Sequence, residues 1–228
     1  MMKVALFDFD GTIYPYETFN ILMEKLKTHP EYKKSYRIFM TKFLPVYTAY
    51  KLNIISKMLM QKKAMELYML SFKGRSKAEI EDFFAQAAAG MAEDLRTSLI
   101  EEIKELRQKN YYTVLISGAY VPLLEALFDK GHFDCIIGTE VHYSGGAYNY
   151  KEGVQRVHAE GKIDSIKQHF HDKQIDWNES CAYSDSYTDL KMLELVGHPV
   201  AVTPDPKLLE TAQSNNWRIY SEENGGSL

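Results

Sequence analysis

Two aspartates, Asp8 and Asp10, close the apolar run Val4-Ala5-Leu6-Phe7 and are followed at once by Gly11 and Thr12. Carboxylates this close repel, and a folded chain keeps both ionised only when a cation or a proton is shared between them. A divalent metal is the simplest such cation. Gly11 lets the chain turn sharply with no Cβ in the way, and the Thr12 hydroxyl can tie that turn to the carboxylates. Taken alone, the pattern also fits a surface turn after a core strand. Three later features bear on the choice. Ser117-Gly118-Ala119 follows the run TVLI and offers a hydroxyl and backbone N–H groups to a phosphate oxygen, or simply makes a tight turn. Lys162 follows Gly161 at the predicted start of a helix, where its charge opposes the helix dipole; that charge is either wanted elsewhere or solvated. Asp185 ends another apolar run, and Asp189, four residues on, lies about one helical turn away, so both carboxylates can face the first pair.

These groups can meet only if they hang from one edge of a sheet. Residues 15 to 90 predict helices, with Phe39, Phe43, Val46, Tyr47 and Tyr50 recurring at helical spacing and no alternating strands. From residue 93 the pattern becomes α/β. A helix carrying Leu95, Leu99, Ile103 and Leu106 precedes the strand TVLIS, a helix after Pro122 and the strand CIIGTEV. A hairpin at Ser144-Gly145-Gly146, a helix from Lys162 to His171 and a strand through Cys181-Ala182-Tyr183 follow. The pattern closes with a helix from Thr188 to Leu195, strand PVAVT, a helix from Lys207 to Gln213 and strand WRIY. Right-handed crossovers then predict an α/β fold: a three-layer, Rossmann-like parallel sheet of about five or six strands. The expected domains are an α/β core over 1–14 and 91–222, a separate inserted helical cap over 15–90, and a disordered tail over 223–228.

At 228 residues, 45% hydrophobic and 25% charged, the chain suits one α/β core with a smaller appended unit. Its two cysteines, Cys135 and Cys181, lack the paired spacing of a zinc site, and so few cysteines argue against a disulfide scaffold. A reducing cytoplasm is the expected compartment, with no export signal at the N-terminus. The most membrane-like stretch, Ile38 to Met60, is broken by Lys42, Lys51 and Lys57 and reads as buried or interfacial helix, without stable membrane insertion. Its aromatic part, from Tyr36 to Tyr50, suits core, a homodimer face or an apolar substrate pocket. Residues 15–90 carry 13 Lys and Arg against 7 Asp and Glu, so the net charge of −4 divides into +6 there and −10 elsewhere. A basic lobe beside an acidic one suits a small phosphate ester, or is a solvated helix face. The basic residues form no nucleic-acid motif. The seven histidines are scattered, and no histidine metal site is expected.

DFDGT, SGA, Lys162 and SDSYTD, in this order, resemble the four motifs of the haloacid dehalogenase superfamily of phosphohydrolases. The helical insertion directly after the first motif, with GTEV, the glycine hairpin and VAVTPDPKLL later, is similar to the phosphoserine phosphatase-related branch. The resemblance implies Asp8 as nucleophile, Asp10 as general acid and base, and Mg²⁺ held by Asp8, the Asp10 carbonyl and Asp185. It further implies Ser117, Gly118 and Lys162 as phosphate ligands, Asp189 as the group that orients Lys162 or a metal-bound water, and Thr12 as a substrate-binding residue beside them. Glu17 stands where phosphoserine phosphatases contact the substrate amino group, or is an ordinary acid at a helix N-terminus. Those enzymes also carry a cap arginine, whereas the corresponding MELYMLSF has none, leaving Arg37, Arg75, Lys62 and Lys63 as the cap cations. The implied activity is hydrolysis of a small phosphorylated metabolite, whose alternatives are phosphoserine hydrolysis, phosphotransfer from the same aspartyl-phosphate and a non-catalytic phospho-aspartate switch.

Overall fold

The computed structural model describes residues 1–152, 154 and 159–221; the tail expected over 223–228 lies outside them. Six of the strands are β1 (Val4–Phe7), β2 (Tyr112–Tyr120), β3 (Cys135–Thr139), β6 (Cys181–Ser184), β7 (His198–Val202) and β8 (Arg218–Tyr220). They form one parallel sheet in the order β3-β2-β1-β6-β7-β8. Two short strands between them in sequence, β4 (Tyr143–Ser144) and β5 (Ala147–Tyr148), make the antiparallel hairpin expected at the glycine pair.

The period-two alternation of strand side chains explains the layers. Ala5, Phe7, Leu115, Tyr183, Val200 and Val202 share one hydrophobic cluster, whereas Val4, Leu6, Val114, Ile116, Ala182 and Ala201 share the other. The first face meets α5 (Thr97–Gln108) and α6 (Val121–Leu127), and the second meets α7 (Ala159–His169), α8 (Leu190–Leu193) and α9 (Pro206–Ser214). Across the sheet centre, the rings of Phe7 and Tyr183 stack with centroids 4.3 Å apart.

The insertion between β1 and β2 consists of α1 (Thr18–Thr28), α2 (Lys33–Lys51), α3 (Lys57–Met69) and α4 (Lys77–Ala89), with a 3-10 turn at Leu70–Phe72. Ser76 and Glu79 form a reciprocal cap at the start of α4. The inserted helices pack against the core: Leu22, Phe39, Tyr68, Phe72 and Phe84 belong to the same cluster as Phe7 and Leu115. The Tyr120 hydroxyl, at the end of β2, also donates to the Met65 carbonyl at 2.9 Å.

Three local expectations change. Helix α7 already includes Ala159, so Lys162 lies inside the helix rather than opening it. Ser117-Gly118-Ala119 belongs to β2, in a stretch where the register with β3 shifts, and α6 begins only at Val121. The helix expected from Thr188 to Leu195 is a 3-10 turn, Tyr187–Asp189, continued by the single turn α8.

Candidate active site

Strand order places the site. The sheet reverses its direction of growth between β1 and β6, and in parallel α/β sheets the crevice beyond the carboxyl ends at such a point receives ligands. Phe7 is paired with Tyr183, so Asp8 leaves β1 beside the residues that carry β6 into Asp185. The Asp8 N–H donates to the Tyr183 carbonyl at 3.0 Å, locking this juxtaposition.

Gly11 adopts a left-handed φ of 77°, and a Cβ built on it would lie 2.1 Å from an Asp185 carboxylate oxygen. Any side chain there would strain the turn and displace Asp185. The fully buried Thr12 joins the two strand ends. Its Oγ1 lies 3.4 Å from Asp8 Oδ2 and 3.3 Å from Asp185 Oδ1, and accepts the Asp185 N–H at 3.0 Å.

Lys162 is the central cation. Its Nζ donates to Asp8 Oδ1 and to Asp189 Oδ2, each at 2.6 Å, and all three residues are at most 6% exposed. Asp189 also accepts the Ser184 hydroxyl at 2.9 Å. Burial alone would discharge the lysine, but the carboxylates of Asp8 and Asp189 hold it well above its ordinary range as a cation. Burial also pushes Asp8 up, Lys162 opposes this, and Asp189 and Asp185 add to it. The two shifts share one origin: the Asp8, Asp189 and Asp185 carboxylates gather around one lysine, an excess of negative charge that a proton or a metal would offset.

Asp10 turns away from this group. Its Oδ1 accepts the Thr18 N–H at 2.8 Å and the Thr18 hydroxyl, both from the first residue of α1. The first N–H groups of a helix lack intrahelical partners and favour a carboxylate. Burial outweighs these bonds and raises Asp10 to about 6, with Glu17 contributing. Burial similarly raises Asp185 to about 6. Glu17 itself is exposed and caps α1 without a side-chain bond.

Ser117 is buried, and its Oγ accepts the Ala119 N–H at 3.0 Å. The Gly118 carbonyl accepts the Thr139 hydroxyl at 2.7 Å. Two contributors escape sequence reasoning. Thr18 could have been found only through its place at a helix start. Arg96, 7% exposed, donates through Nη1 to the carbonyls of Gly11 and Thr12, at 2.5 and 2.6 Å; its sequence surroundings carry no signal of that role. Of the cap cations, Arg75 pairs with Glu31 and Glu79, and Lys62 and Lys63 pair with Glu66. Among the described residues, no group of three or more His, Cys, Asp or Glu side chains forms a ready metal cage. A cavity of about 750 Å³ opens at the opposite end of β6–β8, among Glu102, His198, Trp217 and Arg218, and contains none of these site residues.

A family model described as haloacid dehalogenase-like hydrolase matches residues 5–194. The chain is 31% identical over 83 residues to phosphoserine phosphatase SerB1 of Mycobacterium tuberculosis, a match covering 36% of this chain and 27% of that protein. The shared stretch thus spans about a quarter of that relative's length. A protein of unknown function from Bordetella pertussis Tohama I has a similar fold, with a TM-score of 0.76 at 18% identity, over 97% of this chain and 99% of that one. So does a phosphoserine phosphatase solved as a phospho-aspartyl intermediate analogue, with a TM-score of 0.60 at 17% identity, over 97% and 93% of the two chains. With the family match running from β1 past the Asp185–Asp189 turn, the chain belongs to the haloacid dehalogenase-like hydrolases.

Proposed function

We propose that the protein is a Mg²⁺-dependent phosphatase that hydrolyses a small phosphorylated metabolite through an aspartyl-phosphate on Asp8. The observation that carries this reading is the buried Asp8–Lys162–Asp189 chain beside Asp185, an anionic cluster at a strand switch point that needs an added cation.

The donors suit Mg²⁺. They are hard oxygens, and two carboxylates, the buried Asp8 and the half-buried Asp185, flank one hydroxyl, Thr12. Mg²⁺ usually takes one or two carboxylates and keeps several waters, so a cage of three acidic side chains is not required. Asp8, Asp185 and the Asp10 main-chain carbonyl would hold the ion, which when bound would neutralise charge on the phosphate. The side chains supply the rest. An Asp8 carboxylate oxygen attacks phosphorus, and the ester P–O bond breaks with its electron pair leaving on the alkoxide oxygen. Asp10 Oδ1 is occupied by Thr18, so Oδ2 carries the proton to that oxygen. Asp10 then takes a proton from the water whose oxygen attacks phosphorus and frees Asp8. A carboxyl raised to about 6 suits both duties near neutrality. Lys162, Ser117 and the Gly118 N–H bind the remaining phosphate oxygens, and Asp189 positions Lys162. The Ser117 Oγ accepts from the Ala119 N–H, which leaves its own proton for a phosphate oxygen.

Phosphoserine as substrate is supported by Glu17 and by the name of the mycobacterial relative. The ion pairs of Arg75, Lys62 and Lys63 weigh against those three as partners for its carboxylate and leave Arg37 as the cap cation to test.

Phosphate release from a panel of phosphomonoesters tests the reading. Activity should vanish in chelator and return with Mg²⁺, and Mg²⁺ should raise Tm more at pH 8 than at pH 5. The sign follows from protons competing for Asp8 and Asp185, whose proton affinities are raised. Full activity in metal-free protein would overturn the proposal.

Asp10→Asn separates the acid role from the others. Hydrolysis of alkyl esters should fall by about 10²–10⁴-fold, while esters with good leaving groups retain most of their first-step rate, read as the burst of leaving group. Equal losses on both classes would remove Asp10 from the mechanism.

A further inference from the structure

The outer part of the α2–α3 hairpin presents an apolar surface ringed by cations. Among the described residues, eight of the eleven exposed large hydrophobic side chains fall between residues 38 and 59. Leu52 and Ile54, in the connecting loop, are 65% and 70% exposed. No residue from 40 to 63 is buried, whereas Phe39, Ala64 and Met65 at the base are. An apolar concentration of this kind marks a contact surface rather than ordinary surface scatter.

Charge identifies the partner. Residues 32–65 contain eight Lys and Arg and no Asp or Glu. Glu66, the next acid in sequence, is already paired with Lys62 and Lys63. The complementary surface must therefore be apolar and anionic together. A second copy joined through the same face would oppose cations such as Lys42, Lys51 and Lys57 to their own copies, which disfavours a homodimer there.

We propose that the tip of this hairpin docks the protein on an anionic lipid bilayer, with Leu52 and Ile54 entering the headgroup–acyl boundary and the flanking lysines meeting lipid phosphates. Among the described residues no helix is long and apolar enough to cross a membrane, so the attachment lies at the surface. Lys51, with its ammonium 5.4 and 5.9 Å from the ring centroids of Tyr47 and Tyr50, joins cation and aromatic surface at this tip. The base of the hairpin rests on the sheet through Tyr68, stacked on Tyr120 at 5.9 Å. Tyr120 follows Ser117 by three residues, so the base of the hairpin, one α3 length from its tip, lies beside the sheet edge that carries Ser117. The inference stands on this surface alone and does not depend on the phosphatase reading.

The test is co-sedimentation of the full chain with phosphatidylcholine vesicles, with or without about one-third phosphatidylglycerol. Binding should be at least about tenfold stronger to the anionic vesicles and be lost in about 0.5 M salt. The exposed double variant Leu52→Ser/Ile54→Ser should lower binding about tenfold while its circular dichroism spectrum and Tm are unchanged. Wild-type protein left in the supernatant with anionic vesicles overturns the proposal, as does equal binding by the double variant. So does a wild-type dimer that the double variant converts to monomer while the vesicles stay bare.

Discussion

Asp8→Asn is expected to remove turnover of every phosphomonoester, by at least about 10³-fold, while leaving the fold no less stable than wild type. The two halves of this expectation have different origins. Asparagine lacks the anionic oxygen that attacks phosphorus, and no neighbour can replace it: Asp10 is tied to Thr18, Asp185 to Thr12, and Asp189 to Lys162 and Ser184. The same change removes one negative charge from a group in which the Asp8, Asp185 and Asp189 carboxylates share one lysine, relieving repulsion. The Lys162 cation keeps Asp189 as its partner. Activity loss accompanied by a fall in Tm would mean that Asp8 is structural, and retained activity would exclude it as nucleophile.

Lys162→Met is expected to have the largest effect on stability. Its ammonium is the shared partner of Asp8 and Asp189, both almost fully buried. Removing one side of a buried charge pair costs about 3–5 kcal/mol, because the remaining charge loses its partner without regaining water. The loss depends on pH with a definite sign. Asp8 already has a raised proton affinity, and without the lysine it rises further. Protonation on the acid side then supplies the missing positive charge, so the deficit grows as pH rises. Urea unfolding of metal-free wild type and variant should differ more at pH 8 than at pH 5. Equal stability at pH 8 would show that the ion pairs carry no net weight in the fold.

The architecture and the shared sheet edge of Asp8, Ser117 and Asp185 were legible because both follow from strand ends. An apolar run ending in Asp8, another in Ser117 and a third in Asp185 have only one edge to share in a parallel sheet. Helix boundaries were less so. Gly161 reads as a breaker in the sequence, yet α7 already holds it. Thr18 and Arg96 act through backbone groups and local geometry, which side-chain type does not advertise. The α2 pattern reads differently again. Its apolar spacing marks a face that seeks cover, but only Phe39 is fully buried in the cluster beneath the sheet. Periodicity reports that a face is apolar, not what covers it. The expectation of core burial therefore fails along most of α2, while the reading as an interfacial helix remains the one the exposed tip supports.

The central claim is that phosphate passes through Asp8. Acid-quenched samples taken during turnover of a phosphomonoester, digested and analysed by mass spectrometry, test it most directly. A single phosphate on the peptide containing Asp8, present in wild type and absent from Asp8→Asn, is the expected result. Phosphate on another residue, or steady turnover by the Asp8→Asn variant with no phosphoenzyme in either sample, would contradict the account.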